Sequence, residues 1–331
     1  MHPFVSVVIT AHNRKQYILE AVKSVLQQSL ERTEYEIIIV KNFTDENIDS
    51  FLEREGVKTI YTNEESFGAK LAIGIDNSNG EVISFLDDDD QFDKNKILAL
   101  KEVFMDHRVI YHHSSIQVID EYGKEHTDGL SRNVPRTEIV DKLTPSKMKM
   151  VMKYKLDWYM SAISCRSSIL KRNSKFIRGK TTSLDKLMFL ICVEAGGILF
   201  FDSRLLTRYR IHESLTTRIT NIDDFLKARE VFYIRSLKSL NDASGTITTV
   251  EAKYLNDWEI IHGKLLAYFF SDERIYKITG SSLIKYSFLS IVKGFGSISK
   301  WALFDMLRKL FPGVMRKSFY KRSLKEFKKY S

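Results

Sequence analysis

Two hydrophobic periods alternate along the first two thirds of the chain. Residues 4–11 and 35–40 are continuous β-branched runs, which predicts strands buried on both faces. Between them Tyr17, Ile18, Ala21, Val22 and Val25 recur at helical spacing, predicting an amphipathic helix over 15–28. The alternation continues with a helix over 46–54 capped by Thr44 or Asp45, a strand over 57–61, a helix over 66–77, a strand over 81–86, a helix over 93–105 and a strand over 109–113. Short connections between such elements predict βαβ units on a mostly parallel sheet. Ligands bind such sheets beyond the carboxyl ends of the strands, so loops 10–14, 41–44 and 87–91 are expected to converge there. Residues 120–155 lack periodicity and read as a long loop. Residues 158–165 read as a returning strand, 183–195 as a helix with Ser183 as its cap, and 198–201 and 205–212 as further strands.

The fourth strand ends in Asp87-Asp88-Asp89-Asp90. Adjacent carboxylates repel, more so as water is excluded, so a cation is expected beside them. Continued strand geometry would put Asp87 and Asp89 on one face and Asp88 and Asp90 on the other. Two oxygen ligands on one side suit Mg²⁺ or Mn²⁺ with a substrate diphosphate. An EF-hand is excluded, because Phe92 and Leu98 stand where its loop needs Gly and Glu. A run of charges is also an ordinary solvated surface feature, and the choice rests on the rest of the chain.

The 331 residues suffice for one large α/β domain with an appendage. The two cysteines, Cys165 and Cys192, exclude a disulfide scaffold and a Cys-rich zinc site, and fit a reduced, cytoplasmic setting. No leader is expected before the first strand, and no apolar stretch reaches the roughly 20 residues that span a bilayer.

The segments SVVITAHNR, SVLQQS, YEIIIV and FGAKLAIGIDNSNGEVISFLDDDD, in this order and spacing, resemble family-2 glycosyltransferases of the GT-A fold. The resemblance covers roughly residues 4–215. It implies an α/β GT-A-type domain over 1–219, followed by a helical region over 220–331. It also implies inverting, metal-dependent transfer of a sugar from a UDP- or GDP-sugar to a hydroxyl acceptor. Thr10, Ala11, His12 and Arg14 would line the nucleotide pocket, Lys70 and Arg210 would face the diphosphate, and Asp87 and Asp88 would meet the donor. Asp89 would hold Mn²⁺ or Mg²⁺, with His212 of the Tyr209-Arg210-Ile211-His212 segment as a further ligand and Asp87 as another metal contact. Lys41 and Asn42 stand where the family carries Asp-Asp-Gly or Asp-Asn-Gly, so a cation replaces the anion that meets the base. Asp185 would be the general base, ahead of Asp157 and Glu194. Trp158 and Asp90 would lie on the acceptor side, Trp158 stacking on a sugar or simply filling core. His112 and His113 are read as structural.

The remaining third is helical by pattern, over 222–240, 248–270, 280–295 and 299–329. Between Met306 and Ser331 nine Lys and Arg oppose one acid, Glu326, and aromatic residues are interleaved among them. Such a segment either lies on an anionic membrane, bringing the enzyme to a lipid-linked or growing glycan acceptor, or packs on the protein with a basic solvated face. Peripheral attachment at the cytoplasmic side of a membrane through 299–331 is the expectation; nucleic acid is not an expected partner. Competing readings are a nucleotidyltransferase, which the glycine-free first loop disfavours, a non-catalytic sugar-nucleotide binder, and a nucleic-acid binder using the basic tail, which the acidic cluster disfavours.

Overall fold

The computed structural model describes residues 2–127, 132–212, 221–270 and 311–327. The chain divides into two compact units. One comprises 1–119, 123–142 and 154–210, and the other 120–122, 143–153 and 211–331.

The first unit is built on a ten-stranded sheet, eight of whose strands run in the order β3-β2-β1-β4-β9-β6-β10-β5, while the short β7 (Glu125–His126) and β8 (Glu138–Val140), from the stretch expected as a loop, pair with β6 and β10. Its first half is the parallel array expected. β1 (Val5–Ala11) pairs with β2 (Tyr35–Lys41) and β4 (Val82–Asp87), and β2 pairs with β3 (Lys58–Tyr61). Every residue of β1 is buried. Alternate residues of these strands pack on helices α1 (Ile18–Leu26), α2 (Glu46–Arg54) and α4 (Lys96–Phe104). Each fully buried Val or Ile there contributes about 1.5–3 kcal/mol. Asp45 caps α2, accepting from Ile48 N at 3.2 Å. The opposite face takes α3 (Phe67–Asp76), capped by Ser66. A Cβ at Gly74 would lie 2.4 Å from Val8 Cγ1, so glycine lets α3 settle onto β1.

The second half of the sheet is mixed rather than parallel. Residues 158–165 are not a continuous strand. A 3-10 turn occupies Met160–Ala162, and β9 (Ile163–Arg166) then runs antiparallel between β4 and β6 (Val109–Ile119). β6 is buried along its whole length, six residues beyond the expected end at 113. β10 (Ile198–Arg210) runs parallel to β6 as one strand, and two short strands expected at 198–201 and 205–212 are joined through register shifts near Leu205. β5 (Gln91–Phe92) closes the edge against it. α8 (Leu184–Ala195) forms as expected, but the Ser183 side chain makes no cap hydrogen bond to the helix; the residue sits in the left-handed region at φ 57°.

In the second unit α9 (Ile222–Ser244) and α10 (Val250–Phe270) are paired helices. Phe225, Leu226, Leu266 and Phe270 form their core, with Phe319 and Tyr320 of the last helix (Pro312–Phe327) packed against it. The helix expected over 280–295 and residues 299–310 of the basic tail lie outside the described residues. Among the described residues no helix is long and apolar enough to cross a membrane.

Candidate functional site

The three loops expected to converge do so at the carboxyl ends of β1, β2 and β4. Asn13 N donates to Asn42 Oδ1 at 2.9 Å, and Asn42 Nδ2 donates back to Asn13 Oδ1 at 3.0 Å, tying the first loop to the second. Asn13 is left-handed at φ 55°, a conformation that asparagine tolerates better than most residues. Arg14 ties the first loop to the third. It pairs with Asp88 and, at 2.6 Å, with Asp89. Burial works against the Arg14 charge, but Asp88, Asp89 and Asp87 outweigh it and hold the guanidinium more firmly protonated than usual.

The four aspartates do not continue the strand. β4 ends at Asp87, and the chain turns so that Asp90 N donates to Asp87 O at 3.2 Å. Face alternation therefore fails. Asp87, Asp89 and Asp90 each offer a carboxylate oxygen within 4.8 Å of the others, and Asp88 turns to Arg14 instead. Asp90 is buried, accepting from Ser161 Oγ at 2.6 Å and from Arg210 N at 2.8 Å, so its carboxylate faces the protein rather than an open acceptor surface. Asp87 N donates to Ser161 Oγ at 3.0 Å. Burial, then Asp89 and Asp88, push Asp87 up to about 8 against the opposing pull of Arg14. Burial and the charges of Asp89 and Asp87 likewise raise Asp90. Ionising all four aspartates together would thus put more negative charge here than Arg14 offsets. The cluster's donors are hard oxygens. Both facts fit a divalent cation of the Mg²⁺ or Mn²⁺ type held by Asp87, Asp89 and Asp90.

Arg210 closes the turn from behind. Its side chain is fully enclosed: Nε donates to Asp89 O at 2.7 Å, a terminal nitrogen pairs with Glu20 at 2.7 Å, and the guanidinium lies 4.3 Å from the Tyr17 ring centre. Expected to touch a diphosphate, it is instead committed to the backbone of the aspartate turn. Glu20, Tyr17 and Ser161 were not visible as site residues in the sequence, because their partners lie at least 71 positions away.

Thr10 and Ala11, at the end of β1, are buried, and His12 is part-exposed. Lys70 of α3 is buried and donates to His12 Nδ1 at 3.0 Å; burial lowers its pKa against the pull of Glu65 and Glu64. Lys41 is no surface lysine. It is 2% exposed, pairs with Asp49 at 2.7 Å and donates to Phe43 O at 2.6 Å. Its ammonium is thereby turned toward α2 and lines a cavity of about 380 Å³ with Thr44, Asp49, Glu53, Val57, Thr59 and Tyr61.

Asp185 is half-buried in the first turn of α8, with Lys186 N donating to it at 2.9 Å, and its charge is felt at Asp87. Asp157 is buried. Glu194 lies nine residues further along α8, roughly 13 Å from Asp185. Trp158 is half-buried, and Lys155 Nζ lies 3.5 Å from its ring centre, so one ammonium already covers the indole. His212 follows the end of β10 and belongs to the second unit.

Comparison with known proteins gives these features a context. Residues 6–158 match the family described as Glycosyl transferase family 2. An uncharacterized glycosyltransferase of Rickettsia bellii is 32% identical over 124 residues, covering 36% of this chain and 18% of that protein. The match spans about a fifth of these curated relatives, at 18–20% of their length. Among solved structures, S. aureus TarS 1–349 in complex with UDP-GlcNAc superimposes with a TM-score of 0.56 at 14% identity, covering 98% of this chain and 91% of that one. Mannosyltransferase PcManGT from Pyrobaculum calidifontis, in complex with GDP-Man and Mn²⁺, gives 0.52 at 12% identity, covering 95% and 88%. These likenesses establish the fold, which is the GT-A type expected from the sequence.

Proposed function

Residues 6–158 belong to glycosyl transferase family 2, and from that premise we propose that the protein transfers a sugar from a nucleoside-diphosphate sugar to an acceptor hydroxyl with inversion. The observation that carries the reading is the pairing of the acidic turn with Asp185. Three clustered carboxylates end the central strand, and a fourth is close enough to raise Asp87.

In this reading Asp87, Asp89 and Asp90 would hold the divalent cation. The cation supplies charge neutralisation for the departing diphosphate. Thr10, Ala11 and His12 line the nucleotide, with Asn42 fixing the loop that holds them. Lys70 stands behind His12 as the cation nearest the first loop. Arg14 holds Asp88 and Asp89 until the donor arrives, and then has a phosphate to turn to. Lys41, bound to Asp49, bears on the base only through the position of the second loop. Asp185 takes the proton of the acceptor hydroxyl as it attacks the anomeric carbon. A carboxylate there contributes about 10²–10⁴-fold. Trp158 belongs to the acceptor side.

UDP-GlcNAc and GDP-Man in the two structural relatives support a nucleotide-sugar donor, and Mn²⁺ in one of them supports the metal. Membrane attachment rests on the basic face of the last helix alone. Phe319 and Tyr320 are used inside the second unit, whereas Lys317, Lys321, Arg322 and Lys325 are exposed. Flotation with anionic vesicles at low and high salt tests that face; binding that ignores salt would argue against it. The donor reading is tested by thermal shift with UDP and GDP, each with and without Mn²⁺. A native-state ligand raises the midpoint by mass action. No shift with either nucleotide would overturn it.

A further inference from the structure

A chain of hydrogen bonds with a fixed direction runs from the buried polar residues of β6 to the acidic turn. Thr207 Oγ1 donates to Ser161 O at 3.1 Å. A hydroxyl has one proton, so Thr207 must accept from Ser114 Oγ, 3.0 Å away. Ser114 has then spent its own proton and can only accept on its other side, where Lys96 Nζ donates at 2.9 Å. The order Lys96, Ser114, Thr207, Ser161 therefore needs a donor at its head, and an ammonium is a donor only. Lys96 Nζ also donates directly to Ala162 O at 3.3 Å.

Lys96 opens α4 and is fully buried, with Nζ 5.5 Å from the centre of the Phe92 ring. Burial disfavours its charge. The acid that acts on it most, Asp202, is already paired with His112 at 3.3 Å and with Arg204 at 2.8 Å. An apolar side chain would fill the same space without that opposition, so the use of the amine lies in what it donates to.

Both of its routes end on one short stretch. Ser161 and Ala162 belong to the 3-10 turn Met160–Ala162. Two earlier carbonyls of the same stretch are held from β6, Trp158 O by His113 at 2.8 Å and Leu156 O by the Tyr111 hydroxyl at 2.7 Å. Anchored in this way, Ser161 turns its own hydroxyl to the acidic turn, donating to Asp90 at 2.6 Å and accepting from Asp87 N at 3.0 Å. Asp87 and Asp90 are two of the three clustered carboxylates. Hydrogen bonds in such a chain polarise one another, so losing its head weakens the links beyond.

We propose that Lys96 is a positioning residue for the acidic turn: it fixes Ser161 through Ser114 and Thr207, and Ser161 fixes the spacing of Asp87 and Asp90. Lys96 touches no reacting group. Its effect on cation binding rests on the reading of the turn given above; its effect on the turn itself does not.

The test uses the full chain carrying K96M, T207V or T207S. Valine has the shape of threonine without the hydroxyl, whereas serine keeps the hydroxyl. That pair separates a lost hydrogen bond from lost packing, and decides the matter if K96M does not fold. Mn²⁺ is titrated by calorimetry, alone and with UDP or GDP present. Amide exchange in EDTA, read by mass spectrometry, compares peptides spanning 87–92 with peptides from β1. K96M and T207V should weaken Mn²⁺ binding, and speed exchange over 87–92, by about fivefold or more with β1 unchanged. T207S should stay within about twofold of wild type in both. Wild-type exchange over 87–92 in folded K96M or in T207V would overturn the proposal. So would equally faster exchange in β1, unchanged Mn²⁺ affinity in variants of a chain that binds it, or a T207S that behaves as T207V. If wild type takes up no Mn²⁺ in any of the three conditions, the cation reading fails, and the exchange pattern still decides the role of Lys96.

Discussion

The sheet buries two polar clusters that solve the same problem in opposite ways. On β6, His112, His113, Ser114 and Ser115 are buried in succession, with Lys96 against them. Their partners are mostly neutral. Lys96 donates to Ser114 at 2.9 Å and to Ala162 O at 3.3 Å, Ser114 meets Thr207 at 3.0 Å, and His113 donates to Trp158 O at 2.8 Å. Burial strips charge from this layer: it lowers Lys96 to about 7, His112 to about 4 and His113 to about 3. At the end of β4 the buried groups are acids facing acids, and Asp87 rises to about 8. The first cluster is held by hydrogen bonds to groups of mixed kind, with His112 Nδ1 and His113 Nδ1 left buried without a partner. The second crowds acids together around the single guanidinium of Arg14, an arrangement that suits a cation. Thr207 joins the two, donating to Ser161 O at 3.1 Å while Ser161 Oγ serves Asp90.

Substitutions break this contrast in graded ways. If Asp89 holds the cation as proposed, Asp89→Ala should cut transfer by about 10³-fold or more, since charge stabilisation by such an ion is worth several kcal/mol; the unfolding midpoint should hold or rise as repulsion falls. Unchanged turnover would make the acidic turn as passive as the β6 layer. Asp185→Asn should lower kcat about 10²–10⁴-fold with nucleotide affinity retained, read by steady-state kinetics beside calorimetry.

The β6 layer predicts a pH effect on stability instead. His113 binds its proton more weakly folded than unfolded, so between its unfolded value near 6.5 and its folded value near 3 the unfolded state holds more protons. Stability is lost as pH falls through that window, at about 1.4 kcal/mol per unit, and levels off below it. Asp87, raised to about 8, has the opposite slope as pH falls from 8 toward 3.8. His113→Gln keeps a donor for Trp158 O and removes only the first slope. Chemical denaturation from pH 7 to 4 should therefore show wild type losing ground to the variant. Parallel curves would contradict this. The smallest effect belongs to the junction: Ser161→Ala should cost about 1–3 kcal/mol by taking the Ser161 hydrogen bonds from Asp90 and from Asp87 N, read as a lower midpoint in the same unfolding experiment.

What the sequence disclosed follows the range of the forces involved. β1 to β4 and their helices were legible because buried β-branched runs and helical spacing are local signals. The convergence of loops at 10–14, 41–44 and 87–91 followed from topology alone. The aspartate turn was visible as composition but not as shape, because strand alternation gives no warning that Asp87 is the last strand residue. Lys41 was read as meeting the base; its burial instead depends on Asp49, eight positions on, lying over it from α2. The 3-10 turn at Met160–Ala162 was hidden because the same apolar residues suit a strand, and the hydrogen bonds that stop it come from β4 and β10.

Arg210 sets an order of assembly. The residue that holds the Asp89 carbonyl is 121 positions later in the chain, and its ion-pair partner Glu20 is 190 positions earlier. During synthesis the first four strands and the four aspartates exist well before Arg210 is made. Until then the turn lacks its clamp and the acids lack the Arg210 backbone N–H that steadies Asp90. A folding intermediate built from β1 to β4 is thus a scaffold with an unfinished site, and closing loops of that length is slow relative to local pairing. Cation affinity should appear late in refolding, after most secondary structure has formed.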